Sequence, residues 1–180
     1  MLEKDIERVL VSEAEIEAIC IRLGNQITKD YAGRKPIIIG LLKGCMPFMA
    51  ELIKNIDLYC EIELMGVSSY HGGIKSSADV KITKDLEVSV ADRDVLIAED
   101  IVDTGKTLDV IAKLLLHRGA KSVEVVTLLD KPAGRVVEFV PKYVGVTIPK
   151  EFVVGFGLDY DELYRNLPYV GVLKPQVYKK

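Results

Sequence analysis

The sequence predicts an α/β fold: a doubly wound, mainly parallel central sheet flanked by helices. Three observations lead there. Aliphatic runs recur as "PIIIGLL" at 36–42, "VLIA" at 95–98 and "SVEVVTLL" at 122–129. Each is nearly unbroken, as strands buried on both faces are. Segments with helical apolar spacing separate them, and glycines mark their ends. Strand–helix–strand alternation of this kind favours a parallel sheet with helices on both sides.

The elements follow in order. Ser12 and Glu15 make an S-x-x-E capping box. Ile16, Ile19, Cys20, Leu23 and Ile27 then mark one helical face, and Gly33 ends the segment. The strand at 36–42 turns at "KGC" into a short helix through about Asn55, with Pro47 in its first turn. Residues 58–65, "LYCEIELM", alternate like a strand. The stretch 66–80, "GVSSYHGGIKSSADV", has little apolar periodicity and reads as a loop that is either disordered or works as a lid. After the strand at 95–98, a helix opens at Gly105, shows Leu108, Ile111, Ala112 and Leu115 on one face, and stops at Gly119. Short strands are expected at 122–129, 142–146, 152–154 and 169–173.

A chain of 180 residues suits a single domain, 1–180. With 49% hydrophobic and 28% charged residues, it can bury a core and is neither disordered nor membrane-spanning. A net charge of −3 gives no basic field for nucleic acid, so a small anion would need a local cationic site. Cys20, Cys45 and Cys60 form no C-x-x-C pair, which suits reduced thiols in a cytoplasm. The start "MLEKDIERVL" is too charged for a signal peptide.

The chemistry concentrates in "VLIAEDIVDTGKTL" at 95–108. Glu99 and Asp100 follow a buried strand, at the carboxyl end where open parallel sheets bind ligands. Asp103 and "TGKT" then open a helix, whose first N–H groups lack partners and attract phosphate. Gly105 permits close approach, and Thr104 and Thr107 add hydroxyls. A Walker A loop is excluded, because Asp100 stands where its first glycine is required. Two carboxylates above a phosphate cradle suit a ribose phosphate: they accept from its 2′ and 3′ hydroxyls, directly or through Mg²⁺. Taken singly, Asp103 as a helix cap and the other two as solvated acids are the plainer alternatives.

This stretch resembles the phosphoribosyl-pyrophosphate (PRPP) signature of the type I phosphoribosyltransferases. Four further segments resemble the branch acting on hypoxanthine and guanine: "LLKG" at 41–44, "SSY" at 68–70, "LLDKPAGR" at 128–135 and "FVVGFGLDYDELYR" at 152–165. The resemblance spans nearly the whole chain. It implies a small hood built from about 1–12 and 140–180, and a flexible lid at about 66–80 carrying Ser69 and Tyr70. It places PRPP and its phosphates on Lys43, Gly44, Glu99, Asp100, Asp103, Thr104, Gly105, Lys106, Thr107 and Arg165, with a cis peptide between Leu42 and Lys43. Lys131 would donate to the purine O6, Phe152 would stack on the base, and Val153 would meet its edge. Glu99, Asp100 and Asp159 would serve Mg²⁺. Arg135 would support the pyrophosphate or the lid.

The implied reaction transfers the phosphoribosyl group from PRPP to N9 of hypoxanthine or guanine. The products are IMP or GMP and pyrophosphate. Asp103 would exchange a proton with purine N7, while Glu99, Asp100, Lys43 and Arg165 stabilise separating charge. A homo-oligomer, dimer or tetramer, is expected. The alternative is a PRPP- or nucleotide-sensing regulator of the same fold, but this net-acidic chain has no room for an added DNA-binding domain.

Overall fold

The computed structural model describes residues 2–69 and 80–179. In chain order the elements are β1 (Ile6–Val11), α1 (Glu13–Asp30), β2 (Ile37–Leu42), α2 (Cys45–Ile53) and β3 (Glu61–Ser69). Next come β4 (Val80–Lys84), β5 (Asp94–Val102), α3 (Lys106–His117) and β6 (Ser122–Asp130). The chain closes with β7 (Tyr143–Thr147), β8 (Val153–Val154), β9 (Val170–Leu173) and the single-turn α4 (Pro175–Tyr178).

Six strands form the main sheet in the order β4-β3-β2-β5-β6-β7. All neighbours are parallel except β3 and β4. The chain leaves β2 through α2 towards β3, and leaves β5 through α3 towards β6, so the winding reverses between β2 and β5. Such a switch point opens a crevice at the carboxyl ends of the strands. Here β2 and β5 pair only from Ile37↔Val95 to Gly40↔Ala98, while both strands continue further. The strand ends therefore splay just where Glu99 and Asp100 begin.

Side chains alternate across this sheet into two cores. Ile38, Leu96 and Ala98 pack under α1 and α2, and Ile37, Ile39, Val95 and Ile97 pack under α3. The capping box forms in full: Ser12 Oγ accepts from Glu15 N, and Glu15 Oε2 accepts from Ser12 N at 2.8 Å. Gly33 and Gly119 lie just beyond α1 and α3 with φ of +74° and +88°, conformations that end helices readily. Cys20 and Cys45 are buried free thiols and Cys60 is half-buried.

A second sheet, β1-β9-β8, joins the two ends of the chain. Its antiparallel register runs from Ile6↔Leu173 to Val11↔Val170, and it covers a small core of Ile6, Val154, Tyr164, Leu167 and Leu173. This is the hood, although β7 pairs with β6 in the main sheet, so the C-terminal contribution begins only after it.

Several sequence expectations need correction. The strand expected at 58–65 runs Glu61–Ser69, because pairing with β2 from Ile37↔Glu61 to Leu42↔Gly66 sets its register. Residues 66–69 and 80 therefore belong to a β3–β4 hairpin rather than to a loop, with Ser69 opposite Val80. The strand at 95–98 extends to Val102, carrying Glu99 and Asp100 within it through pairing with β6. Tyr70, and the lid beyond it to residue 79, lie outside the described residues.

Candidate active site

At the β2/β5 switch point lies a cavity of about 510 Å³, within the common range for small-ligand sites. Lys43, Gly44, Glu99, Asp100, Asp159 and Arg165 stand on its wall. Asp103, Thr104, Gly105 and Thr107 complete it along the start of α3. Val67 and Ser68 bring β3 to the same space. Of the expected phosphate-binding set, only Lys106 is not on this wall: it is exposed as the first residue of α3.

The cradle owes its shape to glycine. Gly105 caps α3 with φ +79° and no side-chain hydrogen bond, so Asp103 is not the helix cap. The leading N–H groups of α3 thus face the cavity with the positive end of the helix dipole behind them. Across the cavity, Leu42–Lys43 is a cis peptide. Gly44 lies so close to Asp100 that an added Cβ would overlap Asp100 Oδ2.

Glu99 is half-buried and Asp100 buried, each beside the other. Burial pushes the Glu99 carboxyl well above the usual carboxylate range, and the neighbouring Asp100 charge adds to the effect. Burial also raises Asp100, opposed by hydrogen bonds from Glu99 and from Ile101 N and by the Arg165 charge. Raised carboxyl groups bind protons more tightly in the folded than in the unfolded chain. Stability therefore falls as pH rises from the ordinary carboxylate range through the folded value. We expect Glu99→Gln to melt above the wild type at pH 8, with the gap closing towards pH 5. Differential scanning calorimetry across that range checks it, and a gap independent of pH would count against a strained acid pair.

Asp103 and Lys131 meet directly, with Nζ 2.6 Å from Oδ2. Two features hold them together. Gly134 sits beneath the Asp103 carboxylate, where an added Cβ would overlap Oδ1. Lys131 N donates to Val102 O at 3.0 Å, tying the end of β6 to the end of β5. Arg135 also lies here, beside the turn at Asp103. Its guanidinium donates to Val102 O at 2.9 Å and Asp103 O at 2.8 Å, and pairs with Asp130. It positions the turn that carries Asp103.

Asp159 and Arg165 pair at 2.9 Å, and Arg165 donates to Gly157 O at 2.7 Å. Arg165 Nε is buried without a hydrogen-bond partner among the described residues. Sequence reasoning missed Glu162, whose carboxylate lies 2.8 Å from Lys43 Nζ and 3.4 Å from Arg165. Lys43, 119 positions away in sequence, holds the Glu162 carboxyl below its usual range. No local pattern announces a pair at that separation.

Phe152 and Val153 lie apart from this cavity's wall, at the start of the small sheet. Val153 is buried opposite Val172. Phe152 is 39% exposed and stacks on Tyr178 of α4, ring centroids 4.6 Å apart. Tyr160 meets its edge at 5.7 Å. The ring is thus braced by two tyrosines that sequence reasoning did not single out. The Ser69 backbone pairs at the end of β3.

Comparison with known proteins places the chain in a family. The family model for the phosphoribosyl transferase domain matches residues 10–161. A hypoxanthine-guanine phosphoribosyltransferase of Lactococcus lactis is 60% identical over 99% of this chain and 97% of its own length. The Streptococcus mutans protein of the same name is 56% identical over the whole of both chains. The crystal structure of a hypoxanthine phosphoribosyltransferase from Staphylococcus aureus superposes with a TM-score of 0.96 at 54% identity, covering 99% of this chain and 97% of that one. The chain belongs to the phosphoribosyl transferase domain family, within its hypoxanthine-guanine phosphoribosyltransferase branch.

Proposed function

We propose that this protein transfers the phosphoribosyl group of PRPP to N9 of hypoxanthine or guanine, releasing IMP or GMP and pyrophosphate. The observation that carries this reading is the Lys131–Asp103 pair at 2.6 Å. It sets a donor and an acceptor side by side. A 6-oxopurine carrying its proton on N7 presents the complement on one edge, an O6 acceptor next to an N7–H donor. Adenine presents an amino donor to the ammonium and is repelled.

The cavity supplies the remaining parts. The α3 N-terminus with Thr104 and Thr107 takes the 5′-phosphate, and Glu99 and Asp100 take the ribose hydroxyls. Lys43, Gly44 and Arg165, which line the same cavity, take the pyrophosphate. The resemblance assigns Ser69, at the end of β3, and Tyr70, outside the described residues, to a lid that would keep water from a sugar cation. As the C1–pyrophosphate bond stretches, positive charge grows on the sugar above the two carboxylates and negative charge grows beside the two cations. Catalysis is then mostly positioning and electrostatics.

Mg²⁺ fits this donor set. Among the described residues no three His, Cys, Asp or Glu side chains converge into a cage. Mg²⁺ needs none, since it is commonly held by one or two carboxylates with substrate oxygens and water. Glu99 and Asp100 would hold it, with Asp159 at the far wall already paired to Arg165. When bound, it supplies charge neutralisation to the ribose hydroxyls and pyrophosphate. A homo-oligomer, dimer or tetramer, and a cytoplasmic location complete the reading. No helix among the described residues is long and apolar enough to cross a membrane.

A spectrophotometric assay with PRPP, Mg²⁺ and each base tests the proposal. Turnover with hypoxanthine and guanine but not adenine is expected; no consumption of PRPP with any purine refutes it. Lys131→Ala should raise the purine KM by about tenfold or more, the cost of a charged hydrogen bond. An unchanged purine KM would remove Lys131 from the O6 role.

A further inference from the structure

The Glu162 carboxylate occupies a place that the proposed function gives to an anion. One oxygen lies 2.8 Å from Lys43 Nζ and the other 3.4 Å from the Arg165 guanidinium. Those are the two cations assigned above to pyrophosphate. Resting on that reading, we propose that Glu162 is a built-in stand-in for pyrophosphate, holding Lys43 and Arg165 in the free protein and competing with the ligand for them.

The local backbone argues that this placement is specified. Asp161, Glu162 and Tyr164 all have positive φ, at 54°, 64° and 75°. Non-glycine residues adopt that region only where surrounding contacts over-determine it, and such strain gathers at ligand clamps. The contacts are present. Tyr160 and Leu163 exchange backbone hydrogen bonds at 3.2 and 3.0 Å. Glu162 N donates to Asp159 Oδ2 at 3.0 Å, and buried Tyr164 donates to Asp5 Oδ2 at 3.0 Å. The turn is therefore braced on three sides, and its carboxylate is aimed at the cations.

The pair itself is made to exchange. Its side chains are 64% and 63% exposed, where an ion pair adds little to stability. A second hollow of about 410 Å³ adjoins it, lined in part by Lys43, Glu162, Arg165, Thr83 and Lys84. The hollow gives a displaced Glu162 carboxylate room to leave the two cations. The arrangement keeps the cations ordered and neutralised before PRPP arrives, and offers them a replacement partner as pyrophosphate leaves. Binding is weakened and release is hastened by the same interaction.

The test compares wild type with Glu162→Gln, which keeps shape and removes charge, and with Glu162→Ala. Pyrophosphate affinity is read by titration calorimetry, and the KM for PRPP and for purine by steady-state assay. Both variants should bind pyrophosphate about two- to fivefold more tightly, the scale of an exposed ion pair. The PRPP KM should fall by the same factor, with the purine KM unchanged. Weaker or unchanged pyrophosphate binding in either variant would overturn the proposal, since a residue that merely orients the cations would lower affinity when removed. Calorimetry needs no turnover, so a wild type that failed to use PRPP would refute the functional reading without deciding this one.

Discussion

Asp103→Asn should bind both substrates with near-normal KM and turn over about 10²–10⁴-fold more slowly, the contribution typical of one general acid–base group. The reasoning begins with what the substitution preserves. Asparagine keeps an oxygen that accepts from Lys131, so the pair at 2.6 Å can persist as a neutral–charged hydrogen bond. The backbone around it is unaffected, because Arg135 holds the Val102 and Asp103 carbonyls rather than the side chain. Gly134 beneath the carboxylate accommodates an isosteric amide as well. The variant lacks only the ability to accept or return a proton at purine N7 as N9 attacks. A fall in kcat with KM for both substrates within about threefold is the signature of an interaction made only in the transition state. Near-normal turnover would remove Asp103 from the proton-transfer role. Asp103→Ala provides a contrast. It also leaves Lys131, only 14% exposed, without its charge partner, so its purine KM should move too.

Much of the frame was readable from local pattern. The capping box at Ser12 and Glu15, the aliphatic strands and the helix stop signals at Gly33 and Gly119 all act over a few residues, and they appear as expected. The acidic stretch at 99–107 was legible for the same reason: strand, carboxylates and helix start are contiguous. What escaped depends on distant pairing. β1 is a strand because Ile6 meets Leu173, and β4 because it completes a hairpin with β3. Glu162 gains its role from Lys43 across 119 positions. Arg135 braces the turn at Asp103 through backbone carbonyls at 102 and 103, besides its pair with Asp130. Backbone acceptors carry no sequence signature, so composition and spacing are silent about them.

Gly157 shows the same limit and has the second large expected effect. It stands within "FVVGFGLDY", where spacing and composition give it no separate role. In the structure its φ is +101°, and an added Cβ would overlap the Gly44 carbonyl oxygen and lie 3.0 Å from the Gly44 carbon. Pro47 Cδ stands 3.1 Å away. None of these neighbours is the free end of a flexible side chain, so Gly157→Ala must push the Lys43–Gly44 loop and the Asp159 turn apart. The Gly157 carbonyl also accepts from Arg165 at 2.7 Å, so the push reaches both proposed pyrophosphate cations at once. Overpacking costs about 1–3 kcal/mol, and the left-handed backbone adds about 1–2 kcal/mol for a residue with a Cβ. At about 2–4 °C per kcal/mol for a chain of this size, melting should fall by roughly 5–15 °C. Activity should fall further than stability: a displacement near 1 Å at a reacting site can cost about 10²-fold. We expect kcat/KM for PRPP to drop by about that factor at a temperature where the variant remains folded. Circular dichroism fixes that temperature, and the assay is run below it. The loss should appear for PRPP and pyrophosphate together while base selectivity stays intact, because Lys131 and Asp103 are braced from β6 and Arg135, outside the displaced turn. A variant that melted early yet kept normal PRPP kinetics would show that the close contact of Gly157 with Gly44 serves packing alone.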